Sequence, residues 1–322
     1  MEQQLDQTET IQPPTDAVMA RAVALLRAGE PVGLPTETVY GLAADACNDK
    51  AVARIFEIKG RPHFNPLIAH CADIETVRSL VDLPALAVAL AEAFWPGPLT
   101  LVLKRRADCP VSLLASAGLE TLAVRVPAHP VAHALLKAFG GALAAPSANP
   151  SGRISPTTAR DVTDALSLDL VIDGGPCTVG LESTILSVDG DKAILLRAGG
   201  VPLEDIEDVL GSKIGRAEDT DPITAPGQLR SHYAPEATLR LNALDKRPGE
   251  VLLGFGAPCD GETPELNLSE QASLQEAAAN LFRMLRNLDD TGAKRIAVAP
   301  VPEIGLGRAI NDRLRRAAAP RP

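Results

Sequence analysis

Apolar residues recur at helical spacing from Asp16 to Gly29, with an acidic residue to cap the start and glycine to close the end. PVGLP (31–35) is short and apolar and predicts a buried strand. A second helix is expected over 49–59, with Val52, Ile55, Phe56 and Ile58 on its apolar side. The pattern continues with a strand at 66–70, helices at 73–81 and 84–94, and a WPGP turn at 95–98. Strands at 99–104 and 122–126, a helix at 130–139, a strand at 141–146 and a helix at 157–166 follow. Strands LDLVID, STILSV and KAILLR and a helix from Leu203 to Leu210 complete the first unit. Residues 211–236 are charged and irregular and read as a linker. Beyond it, EVLLGF and RIAVAP predict strands, and 270–288 and 306–318 predict helices. The expected architecture is α/β: a twisted mixed sheet with flanking helices over 16–210, and a small three-layer α/β unit over 237–322. Residues 1–15 are polar and read as a disordered tail.

Composition narrows the function classes. Hydrophobic residues make up 46% of the 322, but aromatics only 3%, so the cores rest on Ala, Val, Leu and Ile. The low aromatic content argues against a base-stacking single-strand binder. A net charge of −10 argues against broad nonspecific nucleic-acid binding. The five cysteines are scattered and never form CxxC, which fits a reducing cytoplasm rather than a disulfide framework or zinc ribbon. The start of the chain lacks the basic and apolar segments of a signal peptide. The most apolar run, Leu83 to Trp95, is too short to span a bilayer.

Candidate chemistry gathers at strand ends. PTETVYG (35–41) offers Thr36, Glu37, Thr38 and Tyr40 where the chain turns, although taken alone local hydrogen bonding in a turn explains such residues better. In KGRPHFNPL (59–67), Lys59 suits a helix C-terminus, Gly60 a left-handed cap and Pro62 a stop. That reading leaves Arg61, His63 and Asn65 without a purpose; together with Lys59 they suit a polyphosphate or carboxylate ligand. APSANPSGRISP (145–156) crowds Ser147, Asn149, Ser151 and Ser155 into a loop, either an ordinary polar loop or an anion-binding nest. Arg125 interrupts an apolar strand and must be paired or face a cavity. Ser183 and Arg197 also lie at strand ends. His129 and His133 have metal-ligand spacing, but no third ligand is near and Pro130 intervenes, so helix initiation and packing explain them better. No P-loop or nucleophile elbow is present, and GFGAP (254–258) and GLGRA (305–309) each lack the third glycine of a dinucleotide fingerprint.

Taken in order, PTETVYGL, K-x-R-P-x-x-N-P-L, WPGPLTLVL, A-V-R-V-P, APSAN-x-SG, ESTI and L-R-x-G resemble the YrdC-like family. HYAP (232–235) and GLGRAINDRLRRAA (305–318) resemble its longer, two-domain form, the threonylcarbamoyl-AMP synthases. The resemblance runs from about Ala17 to the C-terminus. It implies a YrdC-like fold with a concave active site and a cytoplasmic enzyme. That enzyme makes L-threonylcarbamoyladenylate from L-threonine, bicarbonate or CO2 and ATP, releasing pyrophosphate. The product would pass to a separate tRNA threonylcarbamoyl transferase complex, for modification of the adenosine next to the anticodon. By the same resemblance Lys59, Arg61, Ser147 and Asn149 would be catalytic. Arg61, Asn65, Thr121, Ser147, Ser155, Arg197 and Tyr233 would contact ATP. Thr36, Thr38, His70, Arg125, Ala145 and Ser183 would form the threonine pocket. Mg²⁺ would enter on the ATP phosphates, with no metal ligand from the protein. The chain departs from the family where Ala225 replaces a frequent serine.

Two rivals stand beside this reading. Hydrogenase-maturing carbamoyltransferases share the module but carry an acylphosphatase-like part and paired CxxC motifs, which this chain lacks. A noncatalytic RNA-binding protein could use a patch of Lys59, Arg61, Lys104, Arg105 and Arg106, against the net charge; direct tRNA or membrane binding is not expected. The linker segment APGQLRSHYAP (225–235) is stiffened by proline, yet His232 and Tyr233 exceed what a spacer needs. It is expected to act as a lid that keeps water from a hydrolysable adenylate.

Overall fold

The computed structural model describes residues 10–217, 224–227, 231–257 and 263–320. The larger unit begins with β1 (Ile11–Gln12), α1 (Asp16–Arg27), β2 (Val32–Leu34), β3 (Gly41–Asp45), α2 (Asp49–Lys59) and β4 (Ile68–His70). It continues through α3 (Ile74–Leu80), α4 (Ala85–Phe94), β5 (Leu99–Lys104), β6 (Thr121–Arg125), α5 (Pro130–Phe139) and β7 (Leu143–Ala144). It closes with α6 (Ala159–Ala165), β8 (Val171–Ile172), β9 (Thr184–Asp189), β10 (Lys192–Arg197), α7 (Leu203–Leu210) and β11 (Gly215–Arg216). These strands form one mixed sheet in the order β1-β8-β2-β3-β7-β4-β6-β5-β9-β10-β11.

Local chemistry sets the helix ends. The Asn48 side chain accepts from Lys50 and Ala51 N–H at the start of α2, and Gly60 (φ 57°) closes it. Thr158 and Asp161 make a reciprocal capping box on α6. His129 caps α5 through Nδ1, so its place four residues before His133 is a helix start. Thr15, not Asp16, caps α1.

The expectations for the tail and linker need correction. The tail is engaged from Thr10 onward, because Ile11 and Gln12 pair in parallel with Val171 and Ile172; residues 1–9 lie outside the described residues. The segment expected to begin the linker first adds β11 to the sheet edge, pairing with Ile194 and Leu195. β3 was not anticipated, because GLAAD has neither alternation nor β-branched residues.

The smaller unit holds β12 (Thr238–Arg240), β13 (Val251–Gly254), β14 (Leu266–Asn267), α8 (Leu274–Asp290), β15 (Arg295–Val298) and α9 (Gly307–Ala318). Its sheet is parallel, in the order β12-β15-β13-β14. Three layers were expected; the described residues form two. Leu281, Phe282 and Leu285 of α8 and Ile310 and Leu314 of α9 share one core with Leu253, Ile296 and Val298, so both helices cover the same face. Leu252 and Ala297 point the other way, beside Ala243.

That same core takes in Val39, Ile154 and Leu181 from the larger unit, so the two units pack on each other. Arg286 of α8 donates to the Ile154 carbonyl (3.2 Å) and lies 3.4 Å from Asp161; Arg308 pairs with Glu204 at 2.7 Å. Burying apolar surface holds the units together, and the ion pairs fix the register.

Candidate active site

The strand ends of the larger unit and the linker enclose a cleft of about 580 Å³, mouth included, within the usual range for ligand sites. Its floor carries Thr36 and Thr38 after β2, His70 at the end of β4 and Arg125 at the end of β6. Ala145 and Ser147 follow β7, Glu182 and Ser183 precede β9, and Arg197 ends β10. Arg61 follows α2, and Pro226, Gly227, His232 and Tyr233 of the linker roof the cleft.

Polar groups in the floor are pre-set. Thr36 Oγ1 donates to the Val39 carbonyl (2.6 Å) and lies 2.8 Å from Thr38 Oγ1. Arg125 donates from Nε to the Gly97 carbonyl, from Nη1 to Thr38 Oγ1 (2.9 Å) and from Nη2 to Glu37 Oε1 (2.7 Å). Burial pushes the Glu37 carboxyl up, but Arg125 holds it below its ordinary value. One N–H on each Arg125 terminal nitrogen remains beyond these bonds, the fork that a carboxylate accepts. Burial first, and Arg125 second, hold the His70 imidazole at about 3, so it is neutral at pH 7.

Three cations set the electrostatics. Lys59 Nζ donates to the Ser147 carbonyl (2.6 Å) and the Asn149 carbonyl (2.5 Å). Arg61 donates to the Asn65 (3.1 Å) and Pro66 (2.9 Å) carbonyls. Arg197 donates to the Ser183 carbonyl (2.8 Å) and to the Pro226 carbonyl (3.1 Å). All three are at most 7% exposed, and among the described residues none forms an ion pair. Burial pulls Lys59 well below its ordinary value, with Arg61 adding to the fall, and pulls Arg61 to about 10. Buried charge held by carbonyl dipoles and, for Arg197, the Ser183 hydroxyl is costly until an anion arrives.

Other buried polar atoms also lack partners. Asn65 is fully buried with both amide atoms unsatisfied, and Asn149 Oδ1 is unsatisfied although Nδ2 donates to the Pro150 and Arg153 carbonyls. Unsatisfied buried amides in a native fold call for an explanation, and a ligand is one.

The roof is clamped on both sides. Tyr233 (φ 62°) is 1% exposed and stacks on Phe282 of α8, centroids 5.6 Å apart. Ala234 N–H donates to the Gly152 carbonyl, and His232 N–H to the Arg316 carbonyl of α9 (3.2 Å). Burial, then the cations Arg61, Lys59, Arg313 and Arg197, hold His232 well below its ordinary value. Residues 228–230 of the expected lid lie outside the described residues.

The cleft thus gathers Thr36, Thr38, Arg61, His70, Arg125, Ala145, Ser147, Ser183, Arg197 and Tyr233. Lys59, Asn65, Asn149 and Ser155 are buried behind that lining. Thr121 opens β6 opposite Lys104, at the far end from Arg125, and does not line the cleft. The sequence reading passed over Glu182, whose carboxylate takes the Ser155 hydroxyl at 2.5 Å; its place beside the Ser183 candidate was the available signal. The surface patch of the RNA-binding rival does not form. Lys59 and Arg61 are buried, Arg105 turns onto the Cys109 and Val111 carbonyls, and Arg106 pairs with Asp108.

Residues 24–199 match a family model described as Telomere recombination, and residues 201–319 one described as Threonylcarbamoyl-AMP synthase, C-terminal domain. A threonylcarbamoyl-AMP synthase of Bacillus subtilis is 40% identical over 327 residues, spanning 95% of this chain and 94% of the relative. One of Pyrococcus abyssi is 40% identical over 321 residues, spanning 92% and 93%. The crystal structure of P. abyssi Sua5 complexed with L-threonine aligns with a TM-score of 0.87 at 38% identity, covering 96% of each chain. A variant of the same relative with an adjacent histidine and tyrosine both changed to alanine aligns at 0.85 and 38% identity, over 93% of this chain and 92% of that one.

Proposed function

The chain belongs to the two-domain threonylcarbamoyl-AMP synthases, and we propose that the roofed cleft is where its reaction takes place. The enzyme makes L-threonylcarbamoyladenylate from L-threonine, bicarbonate and ATP with release of pyrophosphate, in the service of tRNA modification. The observation that carries the site is the trio of Arg61 and Arg197, which line the cleft, and Lys59 buried behind it, none in an ion pair among the described residues, beside the Arg125 fork.

The residue roles follow from charge and reach. Arg125 takes the threonine carboxylate, while Thr36, Thr38, His70, the Ala145 backbone and Ser183 surround the rest of that substrate. A neutral His70 suits a site that must accept an ammonium group and lose its proton. Lys59, Arg61 and Arg197 face the phosphates; Asn65, Ser147, Asn149 and Ser155 supply hydrogen bonds, and Tyr233 the cover. The amine and bicarbonate lose water to give a carbamate. A carbamate oxygen then bonds to the α-phosphorus as the bond to pyrophosphate breaks. No side chain needs to become covalently attached; positioning and pre-set positive charge supply the catalysis.

Among the described residues no group of three His, Cys, Asp or Glu could hold a metal, and Glu182 is already engaged by Ser155 and Arg313. On this reading Mg²⁺ enters on the phosphates of the ATP substrate. The adenylate passes to a separate tRNA threonylcarbamoyl transferase complex. Among the described residues no helix is long and apolar enough to cross a membrane, and we place the enzyme in the cytoplasm.

The test is threonine- and bicarbonate-dependent release of pyrophosphate from ATP, with the adenylate identified by mass. Arg61→Ala should abolish it while leaving the melting temperature near that of the parent. Turnover unchanged in that variant would remove Arg61 from the mechanism. RNA binding with a steep salt dependence and no turnover would favour the noncatalytic reading.

A further inference from the structure

Arg313 belongs to α9 of the smaller unit, yet its side chain is 0% exposed and reaches the wall of the cleft in the other unit. Its Nε donates to Glu182 Oε2 at 2.7 Å and its Nη1 to Asp312 Oδ2 at 2.5 Å. Its guanidinium carbon lies 5.0 Å from the centroid of the Tyr233 ring, within the range of a cation–π contact. The opposite side of this arrangement is Glu182, which lines the cleft and accepts the Ser155 hydroxyl on its other oxygen.

Glu182 is the anomaly in a cleft suited to polyphosphate. Burial pushes its carboxyl up, but Arg313 and then Arg197 hold it below its ordinary value, so it is ionised. An ionised carboxylate in the wall repels an incoming triphosphate unless a cation outside the ligand space neutralises it. Among the described residues Arg313 is the ion-pair partner of Glu182. Arg197 approaches from the ligand side, where it bonds the Ser183 and Pro226 carbonyls. The smaller unit therefore supplies the charge that lets Glu182 orient Ser155 at low cost to the phosphates, and the same guanidinium lies over the ring that roofs the cleft.

We propose that Arg313 is a positioning residue of the adenylate-forming reaction: it neutralises Glu182 beside the nucleotide phosphates and holds Tyr233 across them. This rests on the reading of the cleft as the ATP site. It gives the smaller unit a defined part in nucleotide use, through one side chain and without contact with the reacting atoms.

The test compares the parent with Arg313→Met, Glu182→Gln and the double variant, varying ATP and threonine separately. Arg313→Met leaves a buried carboxylate unpaired and should raise KM for ATP about tenfold or more, with a much smaller change for threonine. Adding Glu182→Gln removes that charge and should recover most of the lost ATP affinity. Glu182→Gln alone makes the cleft wall more positive, so its KM for ATP should fall or stay level. If Arg313→Met does not fold, Glu182→Gln and the double variant, neither of which leaves an unpaired carboxylate, still decide the matter. Raised KM values for both substrates alike without rescue, an ATP KM within twofold of the parent in Arg313→Met, or a raised ATP KM in Glu182→Gln would each overturn the proposal. Absence of threonine-dependent turnover in the parent would instead sink the reading of the site. The charge relay would then be measured by titrating ATP binding to the same four proteins, with the same order expected.

Discussion

Gly180 is a point where the two units meet backbone to backbone, and replacing it by alanine tests whether their docking sustains catalysis. Its φ is +72°, and a Cβ there would stand 2.5 Å from Ala279 Cα and 2.7 Å from the Ala278 carbonyl oxygen, both on α8. Carbon pairs settle at about 3.5–4.0 Å, so α8 must withdraw by roughly 1 Å. Neither clashing atom can rotate aside, because both belong to the helix backbone. The left-handed conformation costs an L-residue about 1–2 kcal/mol, and overpacking adds about 1–3 kcal/mol. Gly190 separates the two contributions, since it has φ +58° and nothing within 4 Å of a built Cβ. Gly190→Ala therefore bears only the backbone cost. Withdrawal of α8 also moves Phe282 off the Tyr233 ring, so the steric cost carries a functional one. Calorimetry should show Gly180→Ala melting below Gly190→Ala, and its threonine-dependent pyrophosphate release should be the lower of the two. Equal melting and equal turnover in the two variants would show that the docking seen at Gly180 does not support the roof.

Other consequences follow from the same geometry. Tyr233→Ala removes the roof and should lower kcat by roughly ten- to a hundredfold while AMP accumulates from escaped adenylate; Tyr233→Phe keeps the ring and should lose little. Undiminished turnover in the alanine variant, with no AMP, would make 225–235 a spacer. ATP and inorganic triphosphate should raise the melting temperature and adenosine should not, because Lys59, Arg61 and Arg197 lack an anion and not a base; a ligand at a hundred times its Kd contributes about 2.7 kcal/mol. Stability should also fall with acid from near pH 6.5. His70, held at about 3, His232 and His129 titrate below their unfolded value, so the unfolded chain takes up protons first. His70 and His232, both buried, each contribute in full above about pH 6.5 and lose up to about 1.4 kcal/mol per pH unit below it; His129, half-buried and solvent-screened, adds less. Glu37 and Glu182, held low, add their losses only below about pH 4.5. A flat urea midpoint between pH 7.5 and 5 would contradict this account.

The sequence was most informative where local rules are strong. α2 carries its own cap, apolar stripe and closing glycine, and its bounds were legible from these alone. β3 was not legible, since an alanine-rich strand buried on both faces has no period to read. The cations of KGRPHFNPL stood out because the cap reading left Arg61 and Asn65 unused, and both prove to be buried. Glu182 stayed hidden for the opposite reason. Its partners, Ser155 and Arg313, are 27 and 131 residues away, and no local pattern records such a pairing. His232 and Tyr233 were conspicuous as side chains too costly for a spacer, but their clamp depends on Phe282 and the Arg316 carbonyl, which only the docking of the two units brings near.

That docking also explains why a protein of net charge −10 concentrates positive charge in one buried place. Arg125 and Arg313 are each matched by a glutamate at 2.7 Å, one pair in the floor of the cleft and the other in its wall. Lys59, Arg61 and Arg197 are left with carbonyl oxygens and the Ser183 hydroxyl. A carboxylate for each would have made the empty fold more stable, and would have competed with the phosphates. Withholding those partners leaves stability unrealised until the substrate binds. Only an enclosed site makes that arrangement effective, because water admitted to the cleft would screen the cations and weaken their hold on any bound anion. The smaller unit, through α8 beneath Tyr233 and α9 behind His232, closes that enclosure. On this argument the second unit is part of the electrostatics of the site and not an appendage to it.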